Sequence, residues 1–600
     1  FLPLLSIGQQ YTVTKNYVVV KKYLDPTTSI ASPRTTFDMT YLDGLGRKLQ
    51  DIQVSGSPDG KGDIVLPYHG LQGRIERMYL PYTKSDNQGK YIENAFSSSN
   101  WNVYGVSDAP YAFTSTIYDN SPINRIVKQT GPGKSWHENG KATVITSGTN
   151  LDNEVRLYRV TSNGLSIDGY YPAGTLQKIT TTDEDGKQVI SYTDRENKTI
   201  LIVSVVNNER LETFHVYDSR GLLRFVLSPE ASYQLGNSID EGILQRLAYR
   251  YNYDCFGHLI EKRLPGCDPI YMVYDKRDRL VMSQDGIQRS ENINKWSYSL
   301  YDNFNRVIES GEVISSVAVH STLLSLAANS TNFLPTGERT PLQYTLYDSY
   351  IASSDVPVLA FQSIPGYSND YHKFVTGLVT SMKTRILGTN IWLTTSTYYD
   401  SRCRVIQTVS NNPQGGTSLV SMKYDFAGNI IQQQERHQVD DETNVLENIN
   451  LYDNRNRLLS SSNKLNDGTP AFISYTYDEV GRLVKKKYGN IEETMTYNIR
   501  GWLTSKESIP FKMKLRYETP EGGTTAYWNG NISEWEWQHA SSTTLGYGFT
   551  YDGLNRLIES VQIQKSDNSW YTFENNYIEN GITYDRNGNI KSLQRTAEGV

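Results

Sequence analysis

The residues of this chain that could do chemistry are first of all its repeated carboxylates. An Asp follows a Tyr in one recurring register, at Asp218, Asp254, Asp275, Asp302, Asp400, Asp425, Asp453, Asp478, Asp552 and Asp585. A row of acids could hold Ca²⁺, but calcium-binding repeats place several oxygen ligands in one short loop. Here each segment offers a single carboxylate, placed to accept backbone N–H groups of its own turn, so the Asp is read as a turn former and not as a ligand. The eight His residues (69, 137, 215, 258, 320, 372, 437, 539) form no HxH or HExxH pair that would suggest zinc, and His258 reads as a solvated strand residue. Gly131-Pro132-Gly133-Lys134-Ser135-Trp136 shares letters with a phosphate-binding loop but lacks its spacing and a following helix, so it reads as an ordinary loop. No GxSxG elbow is present. Glu534 and Glu536 stand two apart on one strand face, which suggests a charged outer face and not an acid/base pair. Trp528, Trp535 and Trp537 are candidate carbohydrate-stacking rings, with Tyr527, Tyr547 and Phe549 nearby. Strand alternation puts Trp535 and Trp537 on one face, as a buried inner face would also require, and packing is the preferred reading. Cys255, Cys267 and Cys403 give no disulfide framework and no CxxC.

What positions these residues is a repeat. The pattern Tyr-Asp-x-x-turn-x starts at Tyr217, Tyr253, Tyr274, Tyr301, Tyr399, Tyr424, Tyr452, Tyr477, Tyr551 and Tyr584, and Tyr497-Asn498 is an eleventh copy. The fifth position is a glycine in Gly221, Gly257, Gly428, Gly481, Gly501 and Gly588, an asparagine in Asn305, Asn456 and Asn555, and an aspartate in Asp278. These are the residue types that tolerate left-handed backbone. A three-residue hairpin loop needs such a residue before the return strand. Cys403 is the exception and is expected to be strained or to adopt another turn. Asp43-Gly44-Leu45-Gly46, Asp119 to Arg125, Asp183 to Gly186 and Asp194 to Asn197 read as weaker copies, and Tyr347-Asp348 and Tyr527 to Ile532 as degenerate ones. Spacings of about 20 to 28 residues define a repeat architecture.

Composition agrees with this. Tyr accounts for 44 of 600 residues, and mean hydropathy is −0.53, which fits half-solvated sheet better than a large apolar core. Net charge is −6 with no basic block, which excludes the electrostatic footprint of nucleic-acid binding. No stretch approaches the roughly 20 apolar residues of a membrane span. Residues 1–8 read as the remnant of a signal peptide, implying a secreted or cell-surface protein. Residues 9–170 read as an N-terminal β-rich domain. Residues 171–600 read as the hairpin array, incomplete at its C-terminal end and interrupted around 312–340, where 321–329 reads as a short helix or an inserted loop, and around 350–385.

The Tyr-Asp-x-x-Gly-Arg-Leu units over most of residues 171–600 resemble those of RHS/YD-repeat proteins. Tyr41 to Arg47, Tyr79-Leu80-Pro81-Tyr82, Ser121 to Arg125 and Pro132 to Trp136 are similar to the domain of unknown function that precedes such repeats in Bacteroidetes-type members. The resemblance implies an all-β fold, with repeated hairpins forming a long spiralling sheet that is a hollow β-cocoon or part of one. It also implies a non-enzymatic, cofactor-free shell around a C-terminal payload, a polymorphic toxin in bacterial members. The conserved core segment and autoproteolytic site that end the repeats of toxin-carrying members have no match in residues 560–600. The expected partner is the protein's own payload domain, with secretion machinery or a surface glycan as others. A carbohydrate-binding adhesin is the alternative function.

Overall fold

The computed structural model describes residues 14–596 apart from 27–32, 72, 163, 291–293, 318, 541, 568 and 573–576. The signal-peptide reading of residues 1–8 therefore falls outside the described residues. Tyr-, Thr- and Val-rich segments form one sheet of 39 strands. Its first strands, Asn16–Tyr23, Thr35–Leu42 and Lys48–Val54, pair in chain order and lead into Gly62–Leu71. That strand forks. Residues 62–65 pair with Tyr82–Ser85, and residues 68–71 pair with Arg74–Tyr79. From there the sheet runs through Phe113–Tyr118, Ile126–Thr130, Thr143–Thr149 and Gln177–Thr182 and on through the array, each strand antiparallel to the last. The hairpin Arg156–Thr161/Gly164–Tyr170 stands apart as a two-stranded sheet.

The ribbon has no single core. Local cores form where excursions cover one of its faces. Of the two readings of 321–329, the helix is the one present, as His320–Ala328, and it packs Leu323 and Ala327 over Val273, Met282 and Trp296. Residues 350–371 lay Tyr350, Phe361, Ile364 and Tyr371 over Tyr398, Ile406 and Val409. A third interruption went unread in the sequence. Two helices, Pro229–Leu235 and Glu241–Leu247, cover Phe214, Phe225 and Leu227. Their starts are marked by Ser228, whose hydroxyl accepts the N–H of Ala231, and by Asp240, whose carboxylate accepts that of Ile243. A fourth core, with Met39, Tyr41, Tyr82 and Trp101, lies in the N-terminal segment, whereas no residue from 422 to 498 is buried.

Candidate functional site

In every one of the eleven copies the fifth residue has positive φ. The angle is 79° at Gly221, 91° at Gly257, 60° at Asp278, 66° at Asn305, 101° at Gly428 and 63° at Asn456. It is 94° at Gly481, 78° at Gly501, 62° at Asn555 and 91° at Gly588. Cys403 does not adopt another turn. It takes φ of 61° in the common one, closed by the N–H of Asp400 on the carbonyl of Arg404. Where this position is Asn or Asp, its side chain also reaches a neighbouring turn. Asn305 Oδ1 accepts an Arg279 guanidinium N–H (3.3 Å), and Asn456 Oδ1 accepts the Asn429 amide (2.8 Å). Gly257 and Gly588 supply the angle alone. No atom lies within 4 Å of a Cβ built on Gly257, and the nearest to one on Gly588 is an Arg556 nitrogen at 3.9 Å.

At Asp478, Oδ1 accepts the N–H groups of Val480 (3.1 Å) and Arg482 (2.8 Å), while Oδ2 accepts Nε of Arg482 (2.6 Å). Asp302, Asp400, Asp453 and Asp552 repeat this pattern with Arg306, Arg404, Arg457 and Arg556. Asp218, Asp254 and Asp275 likewise each accept two N–H groups of their own turn. Asp425 and Asp585 grip Asn429 and Asn589 in the same way. Partial burial works against ionisation of Asp302, Asp400 and Asp585, yet these donors outweigh it and hold all three below the ordinary carboxylate value. Each carboxylate is thus committed to its own turn. The same turn closes at Asp43, Asp183 and Asp194, and at Asn412-Pro413-Gln414-Gly415, a copy with neither Tyr nor Asp that sequence reading missed.

The tyrosine links one repeat to the one before it. The hydroxyl of Tyr477 donates to the carbonyl of Leu458 (2.8 Å), the residue that follows Arg457 in the preceding turn. Tyr301, Tyr424, Tyr497 and Tyr584 do the same to Leu280, Val405, Leu483 and Leu557. Partial burial raises the pKa of Tyr301, Tyr424 and Tyr477, so these hydroxyls stay protonated donors. The turn arginine lies over the same ring. Arg306, Arg404 and Arg556 sit 4.3, 4.6 and 4.2 Å from the centroids of Tyr347, Tyr424 and Tyr584. His258 takes the arginine position and is not simply solvated. It bridges Asp254 (2.9 Å) and Asp278 (3.0 Å) and stacks on Tyr274. At the degenerate Tyr347-Asp348 no such turn forms around the Asp, and its carboxylate instead receives both terminal nitrogens of Arg306 and the N–H of Gly377.

Turns of the later array touch the beginning of the ribbon. Arg455 pairs with Asp38 and donates to the carbonyls of Phe37 and Val54. The Thr83 hydroxyl donates to Glu479 (2.8 Å), and Lys187 donates to Asn555 (2.6 Å). Asp185 accepts the N–H groups of Trp528 and Asn529, and Arg586 pairs with Glu209. A seam therefore joins residues roughly 340 to 420 apart in sequence. Gly131 to Trp136 lies on it, and Lys134–Glu138 is a one-turn helix where a plain loop was expected.

The seam separates the candidate stacking residues. Trp528 belongs to it, with its indole N–H on Ser135 Oγ (3.2 Å) and the Lys141 ammonium 3.9 Å from its ring. Trp535 and Trp537 lie elsewhere, on strand Glu534–His539, and the faces of that strand are the reverse of those expected. Glu534 and Glu536 are buried, while Trp535 is 36% exposed. The loop before the strand explains this. Glu534 accepts the N–H groups of Glu521 (2.8 Å) and Gly522 (2.7 Å) and the Thr524 hydroxyl (2.9 Å), and Glu536 pairs with Arg516. On the open face Trp535, Trp537, Tyr547 and Phe549 form a row with centroids 4.7, 5.6 and 6.5 Å apart. Cys255, Cys267 and Cys403 are unbonded and exposed.

Residues 14–149 match the family described as a domain of unknown function, DUF6443. Over 208 residues the chain is 25% identical to salivary gland surface protein 1 of Aedes aegypti, covering 33% of this chain and 6% of that protein. Two crystal structures share the fold. TcdB2-TccC3-TEV superposes over 99% of this chain at 14% identity, with a TM-score of 0.61. TcdB2-TccC3-Cdc42 superposes over 97% at 14% identity, with a TM-score of 0.63. This chain spans 27% of each of those chains. The fold is that of an RHS-like shell, all-β and built of repeated hairpins in one long spiralling sheet.

Proposed function

We propose that this chain is the wall of an exported, non-enzymatic shell that encloses or presents a C-terminal payload of its parent protein, a toxin used between bacteria. The observation that carries the reading is the bare stretch from 422 to 498, where continuous strands persist without one buried residue. A sheet one layer thick, wet on both faces, suits a boundary around a space. The TcdB2-TccC3 structures support the same reading at the level of fold. The gene downstream of codon 600 and the protease sensitivity of its product provide the test. The expected outcome is a downstream segment that resists digestion until the shell is denatured. A parent without such a segment, or one digested equally fast with and without the shell, overturns the proposal.

The row Trp535, Trp537, Tyr547 and Phe549 favours a second reading, adhesion to a surface glycan, and similarity to a protein named for the salivary gland surface is compatible with it. A glycan array with Trp535→Ala and Trp537→Ala as controls tests this. Absence of binding by the unmodified chain removes it.

A further inference from the structure

The loop Gly131 to Trp136 and the array copy Tyr497-Asn498 meet each other. Trp136 stands on the one-turn helix and is 1% exposed. Its ring lies 4.0 Å from the Arg500 guanidinium and edge-on to Trp502, and Ile499 shares its core. Its indole N–H donates to the carbonyl of Trp528 (2.9 Å), while Trp528 returns its own indole N–H to Ser135. The same contact explains Gly131, where a Cβ would lie 2.3 Å from an Arg500 nitrogen; at Gly133, with φ of 118°, a Cβ would meet the loop's own Trp136 ring at 2.6 Å and Ile499 at 3.0 Å.

Where Asp275, Asp302, Asp400, Asp453, Asp478 and Asp552 each have an arginine four residues on, this copy carries Trp502, whose ring lies edge-on to Trp136. Asn498 still accepts the N–H groups of Arg500 and Trp502, both at 3.0 Å. Arg500, two residues after Asn498, reaches outward to the carbonyl of Pro132 and to Glu184.

We infer that residues 131–136 are a latch, that the copy at 497–502 is its socket, and that the segment 14–149 thereby holds the later winding of the ribbon on the first. The partner of this face is the chain's own N-terminal segment, whatever the shell contains. The ion pairs Arg455–Asp38 and Arg586–Glu209 lie along the same seam and depend on the latch for register. Amide exchange of the unmodified chain in rising denaturant tests this. Protection at 131–136, 497–502, 37–39 and 208–210 should be lost together, in one step. In Gly131→Ala, which pushes Arg500 out while keeping Trp136, and in Trp136→Ala, exchange at 37–39 and 208–210 should rise at least tenfold, with residues 392–411 unchanged. Independent loss of these segments in the unmodified chain, or changes confined to 131–136 and 497–502 in the variants, overturns the inference.

Discussion

At the scale of the residue, the turn is a steric rule that one chain states eleven times. Gly481 has φ of 94°, and a Cβ there would lie 2.9 Å from an Arg457 nitrogen. Gly481→Val forces a β-branched residue into left-handed backbone and should cost about 1–3 kcal/mol, read as an earlier thermal transition; an unchanged transition refutes the assignment. Cys403→Gly should do the opposite, since Cys403 holds φ of 61° without glycine's freedom. Left-handed backbone costs an L-residue about 1–2 kcal/mol, less what glycine loses in chain entropy. Asp348 gives a pH dependence. Arg306, and then the Gly377 N–H, hold its carboxyl at about 2, below the ordinary 3.8. A carboxyl depressed by folding stabilises above its unfolded pKa, and the benefit is lost as pH falls through the folded one. Asp348→Asn should therefore show a smaller loss of stability than the parent between about pH 4 and 2, a modest difference because the side chain is 34% exposed. Equal acid slopes exclude it.

At the scale of the element, the hairpins that follow Tyr301, Tyr424, Tyr477, Tyr497 and Tyr584 are tied to their predecessors by the tyrosine hydroxyl and an arginine over its ring. Isolated hairpins are marginal in water, so these ties and the shared ladder make the ribbon cooperative. Tyr477→Phe keeps the ring and removes only the bond to Leu458, at a cost of about 0.5–1.5 kcal/mol. Exchange should quicken in both strands it joins, Leu458–Leu465 and Ala471–Tyr477; quickening in one alone breaks the link. The turn itself was legible in the sequence because its requirements are local, residue against its own backbone. Asn305 and Asn456 were legible for that reason as left-handed positions, while their bonds to Arg279 and Asn429 were not, because those donors stand in the neighbouring repeat. The tyrosine's partner was hidden in the same way, since Leu458 lies one repeat away and nothing inside the motif points to it. Face assignment failed on strand Glu534–His539 for a related reason. Alternation correctly paired Trp535 with Trp537, but which face is buried depends on residues 521–524 folding back to cap Glu534. The socket at 497–502 showed in the sequence only as an Asn, whose meaning required residues some 360 positions earlier.

At the scale of the whole molecule, stability is unevenly distributed. Strands Thr199–Val206 to Leu223–Leu227 rest on a core containing Leu201, Phe214 and Leu227. Strands Ile430–Val439 to Ile491–Tyr497 have no buried residue at all. Apolar burial contributes roughly 25 cal/mol per Å², so the bare strands must be held by their backbone ladder, cross-strand pairs and the turn relay. Cooperative units with little buried apolar surface open first. Amide exchange under native conditions should therefore find 430–497 the earliest stretch of the array to exchange, ahead of 199–227, with protection inside it highest at the motif tyrosines. Whatever occupies the space beside this wall would slow that exchange on binding, because covering either face supplies the burial it lacks. If 430–497 exchanges as slowly as 199–227 in the isolated chain, the wall is not thin in the energetic sense, and the cores built by the excursions are not what sets the order of opening.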